Sequence, residues 1–272
     1  MNPVGRIAKV GILGCGAIGS GVAKRFKTEL KNSAKLSGLY DIDENKSRLL
    51  DKELKPSASL VKKNLASLIK SCDIVFEAVS AKNTRQIIIE IIQAKKSVIV
   101  MSVGQLLNAK EVFALAKKNR CKIVIPSGAI AGIDAIKAAD CLGIDKITLT
   151  TRKPVTGFRG NSYVENKHIN LDKLNKEKCL FEGTVEEAVR YFPQNINVAA
   201  TIALACKDKK MLKVRIITSP EFKINSHEVE ISGKFGKITT RTDNTISPDN
   251  PKTSYLAVLS GIQALKDFCE DF

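Results

Sequence analysis

A strand-like run, Val10-Gly11-Ile12-Leu13, leads directly into Gly14-Cys15-Gly16-Ala17-Ile18-Gly19 and then into a segment of helical composition. In this G-x-G-x-x-G spacing Gly14 permits a tight turn, Gly16 lets backbone approach a pyrophosphate, and Gly19 lets helix pack closely on strand. Ala17 and Ile18 complete the loop as further cofactor contacts, and the helix start adds unsatisfied N–H donors and partial positive charge. A second strand-like run ends Leu39-Tyr40-Asp41, 22 residues after Gly19. An acid there accepts hydrogen bonds from the adenosine ribose and repels a 2′-phosphate, so Asp41 favours NAD. The alternative for Asp41 is a turn cap shared with Asp43. Lys46 and Arg48 lie close enough in sequence to leave NADP open as a second cofactor.

The chain has two histidines, His168 and His227. His168 sits in a polar stretch and is expected in a solvated loop. His227 opens a strand in Asn225-Ser226-His227-Glu228-Val229, where it is either a proton acceptor facing a cofactor or a strand histidine facing solvent. An imidazole near pKa ~6.5 can take and return a proton near neutrality, as dehydrogenation of an amine or alcohol requires. Neither histidine has a second His or a Cys at i+3 or i+4, so no metal is expected. Small residues close later strands at Ala78-Val79-Ser80, Ser102-Val103-Gly104 and Ser127-Gly128-Ala129. Ala78 and Ser80 are candidate cofactor contacts there, although small residues also serve plain strand-to-helix turns.

The elements that must hold these groups follow from patterning. Strand-like runs at 7–13, 35–40, 73–79, 97–101 and 122–125 alternate with helix-like segments at 17–30, 60–69, 84–94 and 109–120. Such alternation builds a doubly wound parallel sheet of Rossmann type. The rhythm then changes. A helix at 132–139 and a strand at 147–152 precede a polar stretch, 156–178, expected as a long loop. Helices at 186–191 and 198–205 follow, then antiparallel strands at 213–218, 227–232 and 236–242, the last two joined by a hairpin at Gly233-Lys234-Phe235-Gly236. The tail, 253–268, is expected to be a helix with apolar Leu256, Leu259, Ile262, Leu265 and Phe268 at three-residue spacing. The fold class is therefore α/β, with a second α+β domain carrying a mainly antiparallel sheet. Residues 1–127 with the C-terminal helix 252–272 form the dinucleotide-binding domain, and 128–251 the substrate domain.

Composition sets limits. The 272 residues carry 44 Lys and Arg against 28 Asp and Glu, a net +16, which favours anionic partners. Acids are interleaved with the basic segments and no helix-turn-helix frame is visible, so nucleic acid is not the expected partner. Seven cysteines with no C-x-x-C pair argue for a reducing compartment and against a disulfide framework. No apolar stretch reaches the ~18 residues of a membrane span. The glycine-broken run 10–23 makes a poor signal sequence. A cytoplasmic protein is expected.

Six strings, covering nearly the whole chain, resemble the L-aspartate dehydrogenase family: GILGCGAIG at 11–19, IPSGAIAGIDAI at 125–136, TRKP at 151–154, FEGTVEEAVRYFPQNINVAATIALA at 181–205, NSHEVEISGKFG at 225–236 and SPDNPKTSYLAVLS at 247–260. The resemblance implies NAD(P)-linked oxidation of L-aspartate to iminosuccinate, which hydrolyses to oxaloacetate and ammonia. It further implies a supply of iminosuccinate to NAD biosynthesis, and a homodimer. It places the active-site histidine of N-x-H on His227, the alanine of the SGA turn on Ala129 and the second asparagine of N-x-N on Asn197, the last two at the nicotinamide end. Asn197 would hold the carboxamide or ribose, with an N-cap for a helix from Val198 as its alternative. A dicarboxylate substrate also needs cations, for which Arg152, Lys153 and Lys252 are candidates, with Thr253 and Ser254 as donors. Another oxidoreductase of this architecture, similar to homoserine dehydrogenase or dihydrodipicolinate reductase, would keep the glycine loop without needing N-x-H and N-x-N. A dinucleotide-sensing nucleic-acid binder would show salt-dependent DNA retention and no turnover.

Overall fold

The computed structural model describes residues 7–79, 83–193, 196–247 and 250–270. The chain folds as two units: one runs to Pro126 and takes in the residues from Ala257 onward, and the other is Ser127–Leu256.

In the first unit β1 (Ala8–Leu13), α1 (Ala17–Lys24), β2 (Ala34–Tyr40), α2 (Glu44–Leu54), α3 (Leu65–Ser71), β3 (Ile74–Glu77), α4 (Thr84–Gln93), β4 (Ser97–Val100), α5 (Lys110–Lys118) and β5 (Ile123–Val124) follow in order. The strands form one parallel sheet, ordered β2-β1-β3-β4-β5. β1, β3 and β4 are near-continuous apolar runs because a parallel sheet is covered on both faces, and Val10, Ile12, Ile74, Val75, Phe76, Val98 and Ile99 have no exposure. The strand order reverses between β1 and β3, and open sheets bind ligands outside the strand ends at that switch.

Sequence patterning passes over α2, whose buried residues are only Ser47, Leu50 and Leu54, too thin an apolar stripe to stand out. Asp43 starts it by accepting from the Asn45 N–H at 3.2 Å. α3 begins at Leu65 rather than 60 because Asn64 and Ser67 form a reciprocal capping box. The residues before it bond to β2 instead, through Leu39 N–H to Leu60 O and Lys62 N–H to Leu39 O. α1 stops at Lys24, and Arg25–Lys27 continue as a tighter 3₁₀ turn.

The second unit contains α6 (Ile133–Ala139), β6 (Lys146–Pro154), α7 (Ser162–Asn166), β7 (Lys178–Thr184), α8 (Val185–Tyr191), α9 (Asn197–Ala205), β8 (Leu212–Ser219), β9 (Asn225–Gly233), β10 (Gly236–Asn244), β11 (Ile246–Ser247) and β12 (Asn250–Ser254). Its main sheet is ordered β10-β9-β6-β8-β7, with every pairing antiparallel except β6 with β8. That exception corrects the expectation for 213–218. The chain between β6 and β8 carries α7, β7, α8 and α9, enough for a crossover, so β8 returns parallel. β7 itself is absent from the sequence pattern, being an edge strand that buries only Leu180 and Phe181 and is bulged beside Cys179. The stretch 156–178 is not a plain loop: it holds α7 and short 3₁₀ turns at Val155–Phe158 and Leu171–Lys173.

The last helix, α10 (Tyr255–Glu270), follows β12 directly. Its buried positions are Val258, Gly261, Ile262, Leu265 and Cys269, while Leu259 is 40% exposed. Strict three-residue spacing drifts off one face of a 3.6-residue helix, so the stripe switches between steps of three and four. Gly21 and Gly261 admit the packing: an added side-chain carbon would lie 2.8 Å from Val258 and 2.9 Å from Phe76, respectively. Among the described residues no helix is long and apolar enough to cross a membrane.

Candidate active site

In the first unit the glycine loop sits at the sheet's reversal point. Gly14 has φ +92°, and a side-chain carbon there would meet the Ala78 carbonyl at 2.5 Å. One at Gly19 would lie 1.8 Å from the Gly14 carbonyl, so both positions exclude other residues by contact with backbone. Gly16 differs. Nothing lies within 4 Å of where its side-chain carbon would project, and as N-cap of α1 it offers no side chain to the helix's first N–H groups. Open space beside uncapped donors fits a pyrophosphate. Ala17 and Ile18 form the first turn of α1 above it.

Asp41 stands at the tip of β2. Its carboxylate accepts the Cys15 N–H at 2.7 Å and the Asp43 N–H at 3.0 Å, so it braces the glycine loop and closes the turn at once. Ile42 beside it is 96% exposed, an apolar surface that sequence reasoning passes over and that only exposure reveals. Lys46 and Arg48, the candidate 2′-phosphate partners, pair with Asp43 at 4.0 Å and Glu44 at 2.8 Å. Burial, then the charge of Asp41, pushes the Cys15 thiol up to about 12, which leaves it inert.

Ala78 follows β3 and packs against Gly14, whereas Ser80 lies outside the described residues. The residue that holds this end of the sheet is one the motifs do not flag. Glu77, fully buried, accepts the Val79 N–H at 2.8 Å, the Ser102 N–H at 3.1 Å and the Ser102 hydroxyl at 2.8 Å. Burial raises its pKa against the lowering effect of these bonds. It ties the ends of β3 and β4 together.

In the second unit the face of the sheet bearing Ile147, Leu149, Val214, Ile216, Val229 and Ile231 is buried and apolar. Following β6 along that face, the next residues are Thr151 and then Lys153. His227 on β9 pairs in register with Thr151, and its Nδ1 is hydrogen-bonded to the Thr151 hydroxyl at 3.0 Å. His227 is 3% exposed. Burial, reinforced by the positive charge of Lys153, holds its pKa down at about 3. His227 is therefore neither solvent-facing nor near neutrality in its titration. Burial likewise pulls the half-buried Lys153 ammonium down to about 8. His168 is exposed in the left-handed region at φ +52°.

On the other side His227 pairs with Thr242 of β10, whose hydroxyl donates to the Ala129 carbonyl at 2.7 Å. Asn244 Nδ2 donates to the same oxygen at 3.1 Å. The SGA turn is thus fastened to the strand beside the histidine. Gly128 there has φ +69° with open space around it. Asn197 is exposed and is itself the first residue of α9, whose N-cap is Ile196 without a side-chain bond, so its amide does not cap that helix. Arg152 turns to the opposite face and pairs with Glu228 at 3.3 Å. The Lys252 side chain lies outside the described residues. All seven cysteines are free thiols. Among the described residues no three His, Cys, Asp or Glu side chains cluster as a metal site would require.

Residues 134–268 match the family described as aspartate dehydrogenase, C-terminal, and 14–126 match the homoserine dehydrogenase NAD binding domain. The chain is 45% identical to an L-aspartate dehydrogenase of Methanosarcina mazei over 95% of its own length and 96% of the relative's. It is 40% identical to one of Methanococcus maripaludis, over 96% and 97%. The crystal structure of aspartate dehydrogenase from Thermotoga maritima shares the fold, with TM-score 0.72 at 22% identity and 97% of each chain covered. A homoserine dehydrogenase from Thiobacillus denitrificans does so less closely, at TM-score 0.61 and 13% identity, over 98% of this chain and 75% of that one. The first half matches a domain described from another dehydrogenase, whereas the second half matches the aspartate dehydrogenase model and the identity runs over nearly the whole length: the chain belongs to the L-aspartate dehydrogenase family.

Proposed function

We propose that this protein oxidises L-aspartate to iminosuccinate with NAD, His227 acting as the base, and that iminosuccinate then hydrolyses to oxaloacetate and ammonia. The observation that carries the assignment of the base is the register pair of His227 with Thr151 at the end of an otherwise apolar sheet face. With Nδ1–H donating to the Thr151 hydroxyl, Nε2 presents its lone pair. The amino group of aspartate must give up a proton before its nitrogen lone pair can form C=N, and Nε2 is the acceptor. When bound, the nicotinamide cofactor supplies the hydride acceptor for Cα. Gly14, Gly16, Ala17 and Ile18 would hold the pyrophosphate and Asp41 the adenosine ribose. Ala78, Ser80, Ala129 and Asn197 would complete the nicotinamide end.

The brace from Asp41 to the glycine loop, together with Lys46 and Arg48 held by acids, supports NAD over NADP. Family membership supports a homodimer, a cytoplasmic setting and a supply of iminosuccinate to NAD biosynthesis. The experiment is absorbance of the reduced nicotinamide. It is run with L-aspartate plus NAD, in reverse with oxaloacetate, ammonium and NADH, with L-homoserine as the competing substrate, and with His227→Ala alongside. Turnover that requires aspartate and collapses in the variant is expected. Turnover of homoserine in its place overturns the substrate.

A further inference from the structure

Burial, and after it the positive charge of Lys153, makes His227 a weak base, and a carboxylate that arrives with the substrate is a charge able to offset the second of these. On the face that carries His227, its neighbours across the sheet are Thr151 on β6 and Thr242 on β10, both uncharged. The charged group is Lys153, two residues beyond Thr151 and hence on the same side of β6. Its backbone is fixed on the β8 side. The β6–β8 pairing places Thr218 opposite, and the Thr218 hydroxyl donates to the Lys153 carbonyl at 2.9 Å. The stem is laid over Gly157, where an added side-chain carbon would stand 3.7 Å from Lys153 Cβ and 3.8 Å from Cδ. Arg152, the neighbouring cation in the sequence, is removed by strand alternation and by Glu228.

We propose that the Lys153 ammonium anchors one carboxylate of L-aspartate, and that the arriving carboxylate cancels the lysine's field at His227 and so enables the imidazole to take the amino proton. The inference rests on the aspartate-oxidation function proposed above. Without a dicarboxylate, Lys153 opposes an imidazolium beside it; with one, the imidazolium faces a neutral ion pair or the anion itself. The step is balanced: one proton passes from the substrate ammonium to Nε2, and the Cα–H electron pair leaves with its hydrogen to the cofactor. The nitrogen lone pair then closes C=N. A substrate lacking the carboxylate that meets Lys153 would leave the base switched off. Specificity and proton transfer would then come from the same contact.

With only two histidines, the His227 ring protons can be followed by NMR in a His168→Gln background. Succinate, a dicarboxylate that cannot react, serves as probe at saturating NAD. Three results are expected. Succinate raises the midpoint of the His227 titration in the otherwise wild-type protein. Lys153→Met raises it without succinate and abolishes the response to it. In turnover, Lys153→Met raises KM for aspartate at least 30-fold with KM for NAD within twofold, and Lys153→Arg recovers part of the loss. An aspartate KM within threefold of wild type in Lys153→Met overturns the proposal. So does a His227 titration that succinate leaves unmoved in the wild-type lysine background, a measurement that needs no variant at position 153 to fold. If the wild type turns over no aspartate at all, the function itself fails, whatever the NMR shows.

Discussion

Acid should weaken this protein through one side chain. His227 has a folded pKa of about 3 because it is buried, against ~6.5 in an unfolded chain. Between those values the unfolded state binds a proton that the folded state refuses. Stability therefore rises with pH across the window and is lost as pH falls through it. From pH 7 to pH 5 the loss is about 2 kcal/mol, which for a chain of this size lowers Tm by about 4–8 °C. Glu77 acts in the opposite sense, because a buried acid with a raised pKa favours the folded state as pH falls, and paired carboxylates such as Glu182 and Glu230 act in the same sense as the histidine, so the raw slope mixes several groups. The difference between wild type and His227→Asn isolates the histidine. Thermal unfolding of both proteins, followed by circular dichroism at pH 7 and pH 5, should show the wild type losing several degrees more than the variant. Equal losses would refute the claim that the imidazole is buried neutral.

Lys153→Met should be more stable than wild type at pH 7 while losing aspartate turnover. The ammonium's folded pKa of about 8 lies below its unfolded value, so the cost of burying the charge, at most about 3 kcal/mol, is fully present below pH 8 and is relieved between 8 and 10.5. A fall in Tm would contradict that. Gly16→Val should keep its Tm within a few degrees but lose NAD binding by calorimetry, whereas Gly19→Ala, 1.8 Å from a carbonyl, should fail to fold. Asp41→Ser should weaken NAD about 10- to 100-fold, the worth of charge-assisted hydrogen bonds, and narrow its preference over NADP, as KM values for the two would report. Thr151→Val should lower kcat about tenfold with aspartate KM little changed, because Nδ1 loses the partner that fixes its proton. An unchanged kcat would remove Thr151 from the site.

The first unit was largely legible in the sequence because a parallel sheet writes itself as β-branched runs with turn residues between them. Gly14, Gly16, Gly19 and Asp41 announce their roles by spacing. What escaped was whatever depends on a partner far along the chain. β7 is held as a strand by its pairing with β8, and two of the bonds to the Glu77 carboxylate come from Ser102, 25 residues on. His227 was legible as a residue and not as an environment: the sequence allowed a solvent-facing histidine near neutrality, and packing made it buried and weakly basic. One piece of that environment was within reach. The hairpin Gly233–Gly236 fixes the register of both strands, and counting back from it sets Thr242 opposite His227. Thr151 and Lys153 needed the long-range pairing of β6 with β9, which no local pattern encodes.

The division of the chain into a unit with an inserted neighbour has a bearing on biosynthesis. Val258 closes over Gly21, and Phe76 and Met101 lie where a side chain on Gly261 would go, so the first unit's core is finished by residues made after the whole second unit. During synthesis the glycine loop and parallel sheet therefore emerge early and wait, with part of their apolar surface uncovered, for 130 residues to follow. Ribosome-bound chains halted near residue 250 should hold a first unit that proteases cut readily, and release of the last helix should protect it. Cofactor binding by that unit is then expected to appear only after its last helix has been made.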